Sequence, residues 1–412
     1  MSVTVEPGHA RPDQPLPPGV HGTVQPGYEA VAVTFGKSFN DRERGGGALT
    51  LQVRGRTVVD IWAGWSDRAR TRAWTPDTSA MSFSTTKGIA STVMHRLADR
   101  GLLDYDAPVA EYWPEFAARN KAAITIRELM SHQAGLYDAR SLIRRPEDLL
   151  DHLTLEDKLA AARAYPRPGF PNYHGLTYGW LLAGVARRIT GRGMAELFRT
   201  EIAEPLGITG VALGAPTTGD PAAEFVGSLK LLGASAVQLL LPVGAYRRTP
   251  TGRLIKALLP IGMLTLFEGD EPAVLQTELP AANGVFTARA LATVYSALAN
   301  GESVHGVRLL SPDTITAAGR VQVRRRDGVL GIPMGWRVGY HHALSTWRRS
   351  RRGFGHYGLG GSGGFADPTS GLSFGFVTNR IDVGNIALGN VTTLRLADVA
   401  LRSAARDPAE TA

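Results

Sequence analysis

The chain has 412 residues, of which 43% are hydrophobic and none is cysteine. That length is enough for two or three domains, or for one large body with an inserted lobe. The lack of cysteine excludes disulfides, thiolate metal sites, iron–sulfur clusters and cysteine nucleophiles, so covalent catalysis is restricted to hydroxyl groups.

Positive charge is carried almost entirely by arginine, since only six of the 45 basic residues behind the formal net charge of +8 are lysines. Arginines cluster at 324–326 and at 348–352. Neither cluster belongs to a recognisable nucleic-acid module, and aromatic residues are sparse around both. We therefore expect no nucleic-acid partner and a solvated arginine-rich surface, with an anionic lipid or substrate as the alternative.

The N-terminal residues 1–30 are rich in proline and glycine and are expected to form an arm that is poorly ordered or lies on the surface. They lack the basic start and the apolar core of a signal peptide. The most apolar uncharged run, 231–246, has 16 residues and contains Pro242, whereas a spanning helix needs about 20. We expect a cytoplasmic protein without a transmembrane helix, and peripheral membrane contact stays open.

The predicted elements are a hairpin, a helix, a mostly helical middle with an apolar insert, another helix, and a group of strands followed by a last helix. Strands are predicted from alternation at period two and from apolar runs, and helices from amphipathic spacing ended by Gly101 or Gly301. The predictions cover strands 48–53 and 57–62, helix 84–100, the helical middle 103–215, the insert 226–268, helix 288–300, strand segments 335–342, 353–368 and 372–379, and a helix over about 384–405.

Strands from both ends of the chain enclose the helical middle, and consecutive hairpin strands favour antiparallel pairing. We therefore predict an α+β fold rather than a doubly wound parallel sheet. The sheet subdomain is expected at about 31–100 and 284–412, and the helical subdomain at about 101–283. The insert at 226–268 is interpreted as lid-like: either one more buried helix pair, or an apolar wall that faces a lipophilic substrate or a membrane.

Two serine motifs compete for the role of nucleophile. The first, around Ser362, fits the G-x-S-x-G elbow of α/β-hydrolases, which needs a helix after the serine and a histidine downstream of it. Here a turn and another strand follow, and the last histidine, His356, precedes the serine. Ser362 is therefore interpreted as a bend in a strand.

The second motif, Ser84-Thr85-Thr86-Lys87, opens a predicted helix, so Ser84 and Lys87 lie on one face one turn apart. The helix N-terminus adds partial positive charge and free N–H groups, and burial lowers the pKa of a lysine toward that of a general base. The alternative is a capping serine with a surface lysine. Two glycine-rich stretches add a loop tyrosine, Tyr173, and a late strand at 354–360.

The order serine–lysine–tyrosine, a spacing of about 85 residues to the tyrosine, and the late H-x-G strand resemble the class C β-lactamase and penicillin-binding superfamily. The esterase branch of this superfamily, the family VIII carboxylesterases, is most similar to the sequence at 129–136, 280–292 and 355–380. The resemblance covers roughly residues 30 to 405 and implies a β-lactamase/transpeptidase-like fold that needs no metal and no cofactor.

The resemblance also implies roles for individual residues. Ser84 matches the acylated nucleophile, Lys87 the lysine that accepts or holds its proton, and Tyr173 a phenolate-like base that later acts as the acid. The oxyanion hole is expected from the backbone N–H groups of Ser84 and Leu359. Substrate contacts are expected from the following residues: His174, His356 and Gly358. Tyr173 as a helix-entry packing residue and His356 as a satisfied sheet histidine remain the alternatives.

Two departures from the lactamase pattern guide the functional prediction. Gly175 stands where that pattern has asparagine, and His356 where it has a lysine that holds the substrate carboxylate. Neutral imidazole is a poor carboxylate anchor. We predict a serine carboxylesterase that acts on a small, lipophilic ester through a Ser84 acyl-enzyme. A β-lactamase or D,D-peptidase, an acyltransferase and a non-catalytic membrane-associated member are the alternatives, and the oligomeric state stays open.

Overall fold

The largest sheet in the described part of the chain consists of antiparallel strands from residues 20–64 and from residues 341–378. The structure is a computed structural model, which describes residues 15–39, 45–165, 169–217, 219, 221–227, 250–258, 263–269, 271–303, 305–343, 352–381 and 391–407. Its strands are β1 (Val20–Val24), β2 (Gly46–Val53), β3 (Arg56–Gly64), β4 (Ala80–Met81), β5 (Val211–Leu213), β6 (Val226–Gly227), β7 (Gly284–Phe286), β8 (His341–His342), β9 (Phe354–Tyr357), β10 (Gly363–Asp367), β11 (Leu372–Thr378) and β12 (Arg380–Ile381).

The large sheet has the order β1-β3-β2-β11-β10-β9-β8, and each of its neighbouring pairs is antiparallel. The predicted hairpin is present as β2 and β3. Arg54 and Gly55 both have positive φ, +48° and +77°, which is the backbone of a type I′ turn and fits the twist of the strands. Two smaller sheets, β4-β7-β5 and β12-β6, lie outside it.

The helices lie mostly in the middle of the chain, between β3 and β7. Together with the antiparallel sheet they confirm the predicted α+β fold. The α-helices are α1 (Glu29–Ser38), α2 (Thr86–Asp99), α3 (Val109–Tyr112), α4 (Ile126–Met130), α5 (His152–Ala161), α6 (Thr177–Thr190), α7 (Met194–Leu197), α8 (Glu204–Leu206), α9 (Pro250–Leu258), α10 (Ala288–Asn300), α11 (Pro312–Gly319) and α12 (Val391–Ala404). A π-helical segment, Phe198–Ala203, connects α7 to α8.

Two hydrophobic cores lie on opposite faces of the large sheet, because successive side chains of a strand point to opposite faces. Leu49 and Phe374 face the core that α1 and α12 cover. Ala48 and Ala366 face the larger core, where α10 packs across β2, β10 and β11. Within that larger core α2 contacts both α6 and β9. The N-terminus of α2 therefore lies where the sheet edge meets the helical part.

Residues 1–14 of the expected N-terminal arm lie outside the described residues, and the rest of it contains regular structure. Residues 20–24 form β1, the edge strand paired with β3, and α1 begins at Glu29. Gly22, part of the composition that suggested disorder, is needed for this pairing: a Cβ there would lie 2.0 Å from the Asp60 carbonyl oxygen. Amino-acid composition does not distinguish a glycine that lets two strands approach closely from a glycine in a loose arm.

The predicted C-terminal strands are shorter than expected. Of the segment 335–342, only His341–His342 is a strand, because Gly335 and Gly339 turn the backbone with φ of +58° and +86°. The segment 353–368 is not one strand but the hairpin β9–β10, whose turn contains Gly361 at φ +105°. These glycines supply the conformations that other residues rarely adopt.

The predicted insert at 226–268 lies largely outside the described residues, which include β6, α9 and a 3₁₀ segment, Met263–Phe267, within it. The last helix is described from Val391, and the start predicted at about 384 lies outside the described residues. In the described parts of the chain, no helix combines the length and apolar character needed to cross a membrane.

Candidate active site

Ser84 lies in a single 3₁₀ turn, Phe83–Thr85, that joins β4 to α2. The predicted helix therefore begins two residues later than expected, at Thr86. The Ser82 N–H donates to the Gly284 carbonyl at 2.8 Å, which continues the pairing of β4 with β7 up to this turn. Phe83 has a φ of +46°, a left-handed conformation that is strained for a bulky residue and persists only where the surroundings impose it.

Lys87 is fully buried on the first turn of α2. Its Nζ donates to Ser84 Oγ at 3.0 Å and to the Ala281 carbonyl at 2.8 Å. Burial holds the pKa of Lys87 well below its usual range, and no ion pair to this lysine occurs among the described residues. The lowered pKa favours a neutral amine beside the serine hydroxyl, and full burial contradicts the surface lysine of the alternative interpretation.

Tyr173 reaches the same hydroxyl from the helical side. Its OH donates to Ser84 Oγ at 2.9 Å, and Lys87 Nζ lies 5.1 Å from the centre of its ring. The ring of Trp336 stacks almost parallel to it at 5.6 Å, and that of His132 lies 5.1 Å away. Burial raises the pKa of Tyr173, and the hydrogen bond to Ser84 opposes that rise. A raised pKa favours the neutral phenol over the phenolate.

Asp327 is a buried carboxylate beside Tyr173 that sequence reasoning missed. Its Oδ1 accepts the N–H groups of Tyr173, Val329 and Leu330 at 3.1, 2.8 and 2.9 Å, and its Oδ2 accepts the indole N–H of Trp336 at 3.0 Å. Burial raises the pKa of Asp327, whereas these hydrogen bonds lower it. Since all four partners are donors, they fit an ionised carboxylate. The sequence signal was only an Asp-Gly turn pair.

Gly358 brings the turn after β9 directly against the backbone beside Ser84. A Cβ at this position would lie 2.2 Å from the Ser82 carbonyl oxygen, so only glycine fits. The next N–H belongs to Leu359. Among the described residues, neither the Ser84 N–H nor the Leu359 N–H has a hydrogen-bond acceptor. These two N–H groups are therefore candidate donors for an oxyanion hole, which needs donors that are not already bonded.

His356 occupies the position where the lactamases keep a lysine, and burial favours its uncharged form. Its Nδ1 lies 3.1 Å from the Tyr357 carbonyl, which fixes the proton on Nδ1, and Nε2 has no partner among the described residues. Burial, with His341 and Lys87 adding to the effect, holds the pKa of His356 well below its usual range. Its ring stacks on that of Tyr173 at 6.3 Å.

His174 does not face the site, contrary to the expected substrate contact. Its ring is fully buried, and Nε2 accepts the Leu136 N–H at 2.9 Å. Its backbone N–H donates to His132 Nδ1 at 3.2 Å, and the two rings stack at 5.5 Å. Tyr173 therefore faces the serine, while His174 anchors the same loop to Leu136 and His132.

Ser362 is bonded to the backbone of the sheet. Its Oγ accepts the Thr378 N–H at 3.1 Å, and its carbonyl accepts the Thr85 hydroxyl at 2.8 Å. The same carbonyl accepts the Gly358 N–H at 2.7 Å. Ser362 thus connects the turn after β9 to the turn that holds Ser84, and it lies at the end of a turn rather than in a strand bend.

Apolar side chains border the site on two sides. On the Tyr173 side, α9 contributes part of a cluster. On the other side, two further rings lie with their centres 5.3 and 5.8 Å from that of Phe83. The first cluster contains Tyr137, Leu254, Ala257, Val329, Leu330 and Met334, and the second Phe83, Phe225 and Phe267. The site therefore has apolar surroundings on either side of its polar centre.

The structure also has a cavity that lies away from the Ser84 site. A cavity of about 930 Å³ borders residues 135–148 and α5, and its lining does not include Ser84, Lys87 or Tyr173. Within the described ranges, no group of three or more histidine, aspartate or glutamate side chains is placed to hold a metal ion.

Comparisons with known proteins agree with the resemblance seen in the sequence. The esterase/beta-lactamase LipL of Mycobacterium tuberculosis is 43% identical over 367 residues, which are 88% of this chain and 83% of the relative. A crystal structure of a family VIII carboxylesterase superposes with a TM-score of 0.81 at 34% identity, covering 93% of this chain and 99% of that chain. A penicillin-binding protein homologue from Caulobacter crescentus gives 0.77 at 32% identity over 93% and 99% of the two chains.

These similarities confirm the β-lactamase/transpeptidase-like fold and the expectation of an enzyme of the hydrolase class. A model of the Beta-lactamase family matches residues 26–387, which is most of the chain. The protein therefore belongs to the Beta-lactamase family.

Proposed function

We propose that the protein hydrolyses carboxylic esters through an acyl-enzyme on Ser84, at the junction of a sheet subdomain (about 31–100 and 284–412) and a helical subdomain (about 101–283). One observation carries the proposal: Ser84 Oγ lies 3.0 Å from Lys87 Nζ and 2.9 Å from the Tyr173 hydroxyl. A serine hydroxyl needs a neighbouring base to become a nucleophile, and both groups are within reach of its proton.

Acylation begins with a neutral lysine. The lowered pKa of Lys87 supports an amine that takes the Ser84 proton while Oγ attacks the ester carbonyl. Tyr173, a neutral phenol, then donates its proton to the departing alcohol oxygen. This step leaves an ammonium at Lys87, a phenolate at Tyr173 and an ester bond on Ser84, so atoms and charge balance. The order revises the expectation that Tyr173 starts as the base.

Deacylation returns both protons. Water attacks the acyl carbonyl and gives a proton to the Tyr173 phenolate, and Ser84 recovers its proton from the Lys87 ammonium as the acid leaves. The transient phenolate and ammonium lie close together, since Lys87 Nζ is 5.1 Å from the centre of the Tyr173 ring. If an alcohol replaces the water, the same steps give acyl transfer.

The negative oxygen of each tetrahedral intermediate is stabilised by the N–H groups of Ser84 and Leu359. Their lack of acceptors among the described residues and the close approach of Gly358 to Ser82 support this role. Losing one such donor typically costs about 3 kcal/mol of transition-state stabilisation.

The substrate class that fits the site is a small, apolar ester. The neutral His356 provides no fixed charge for a carboxylate, and apolar clusters border the site on both sides. The relatives named esterase and carboxylesterase support the same class. Action on a β-lactam is the second candidate, which the name of the LipL relative favours and the neutral form of His356 opposes.

The test is hydrolysis of short and medium-chain p-nitrophenyl esters, with nitrocefin measured alongside. The proposal predicts that Ser84→Ala abolishes ester turnover while Ser362→Ala retains most of it. Equal ester turnover by wild type and Ser84→Ala would overturn the assignment. Nitrocefin turnover far above ester turnover would favour the second candidate.

A further inference from the structure

Two loops beside Tyr173 form a rim at one side of the site, consisting of residues 169–171 and 324–333. The Gly328 N–H donates to the Pro171 carbonyl at 2.9 Å, and the Asp327 N–H donates to the Ile332 carbonyl at 2.9 Å. Because Asp327 also accepts the Tyr173 N–H, this rim is attached to the catalytic tyrosine itself.

The outward charge of the rim is positive. Arg324, Arg325 and Arg326 are exposed, and within the described parts of the chain none of them pairs with an acidic side chain. The rim contains one acid, Asp327, which is buried and accepts four N–H groups. Three positive charges thus face solvent with no acidic partner among the described residues.

Apolar side chains are exposed between these charges. Phe170 is 42% exposed and Ile332 51% exposed, and they are two of the six large hydrophobic residues exposed in the described chain. The Arg325 guanidinium lies 4.3 Å from the centre of the Phe170 ring, so cation and aromatic ring share one surface. Isolated exposed apolar residues are ordinary. Two such residues among the 13 that form the rim, interleaved with arginine, are a pattern suited to a lipid interface.

We propose that the rim binds the surface of an anionic lipid assembly and holds the site against it. Arginines attract anionic headgroups, each contributing to surface binding, while Phe170 and Ile332 enter the boundary of the acyl chains. A bilayer surface is chosen over a protein or nucleic-acid partner because the exposed apolar side chains are few, separate in sequence and mixed with positive charge. The binding claim stands without catalysis, whereas delivery of lipid esters to Ser84 rests on the proposed function.

The binding test uses the full chain carrying Ser84→Ala, co-sedimented with phosphatidylcholine vesicles or with vesicles that also contain phosphatidylglycerol. The rim variant is Arg324→Gln/Arg325→Gln/Arg326→Gln. The matched control removes the same charge from exposed arginines that have acidic partners: Arg192→Gln/Arg199→Gln/Arg308→Gln. We expect selective binding to the anionic vesicles, a decrease of about 100-fold in the rim variant at about fivefold per arginine, and a much smaller decrease in the control.

Three results would overturn the proposal: no preference for anionic vesicles, an equal decrease in both triple variants, or binding to RNA or an acidic peptide that exceeds binding to vesicles. Phe170→Ser/Ile332→Ser separates the apolar contribution, and it should weaken binding at high salt, where the arginine contribution is screened. An apolar double variant that binds as tightly as its parent under those conditions contradicts insertion.

A kinetic measurement with active enzyme distinguishes this proposal from the proposed function. The ratio of the rate on a medium-chain ester held in anionic vesicles to the rate on soluble p-nitrophenyl acetate should fall at least tenfold in the rim variant. An inactive wild type would contradict ester hydrolysis and leave vesicle binding standing. Full activity with an unchanged ratio would contradict the rim's role in delivery.

Discussion

The Asp327 carboxylate accepts the Tyr173 backbone N–H at 3.1 Å and, through its other oxygen, the indole N–H of Trp336, whose ring stacks on Tyr173. One buried charge therefore fixes both the backbone and the stacking partner of the tyrosine that reaches Ser84. Asp327 touches no reacting atom in this arrangement and acts by positioning.

Asp327→Asn tests this positioning. The amide nitrogen of the new asparagine would replace one carboxylate oxygen and face an N–H donor, which repels it. Because this displaces Tyr173 slightly, we expect kcat to fall by about 10- to 100-fold with little change in KM. The negative charge of Asp327 raises the pKa of the Tyr173 phenol, so its removal should move the alkaline limb of the pH–rate profile to lower pH. Asp327→Glu should recover part of kcat. A variant with lost stability but an unchanged profile would indicate a purely structural role.

Lys87→Met removes the amine while keeping most of the length of the side chain. We expect kcat to fall by about 10²- to 10⁴-fold, the usual contribution of a general base. Because the pKa of Lys87 is lower in the folded than in the unfolded chain, folding releases its proton and stability should increase as pH rises toward 10.5. Thermal unfolding across pH should show that contribution in wild type and lack it in the variant. Retained activity would contradict the role of Lys87.

Gly358→Ala tests the oxyanion hole through its backbone. The new Cβ would lie 2.2 Å from the Ser82 carbonyl oxygen and push the Leu359 N–H away from Ser84. The expected decrease in kcat is about 100-fold. Gly360→Ala is the matched control, since its Cβ would meet its nearest neighbour at an ordinary 3.5 Å. Similar rates in the two variants would show that the turn does not supply a donor.

His356→Lys tests substrate choice. A lysine here restores the charge that lactamases use for the substrate carboxylate, although burial lowers its pKa. We expect nitrocefin turnover to rise relative to that of p-nitrophenyl esters. The ratio of the two kcat/KM values measures the change. If the ratio stays constant while the protein remains folded, the neutral His356 does not decide between esters and lactams.

Local patterns in the sequence were sufficient to predict the hairpin at Arg54-Gly55 and the one-turn spacing of Ser84 and Lys87. A glycine-rich stretch pointed to Tyr173, the resemblance gave it a role, and the structure places that tyrosine beside both. Asp327 could not be found in this way because it meets Tyr173 across 154 residues of sequence. Pattern matching also gives no side-chain direction, which is why His174, adjacent to Tyr173, was expected in the site and lies in the interior.

The most direct test of the central claim is the mass of the protein stopped during turnover of a p-nitrophenyl ester. The account predicts an acyl adduct on the peptide that contains Ser84, absent in Ser84→Ala, and accumulating in Tyr173→Phe because deacylation needs the phenolate. An adduct on the peptide that contains Ser362, or full turnover by Ser84→Ala, would contradict it.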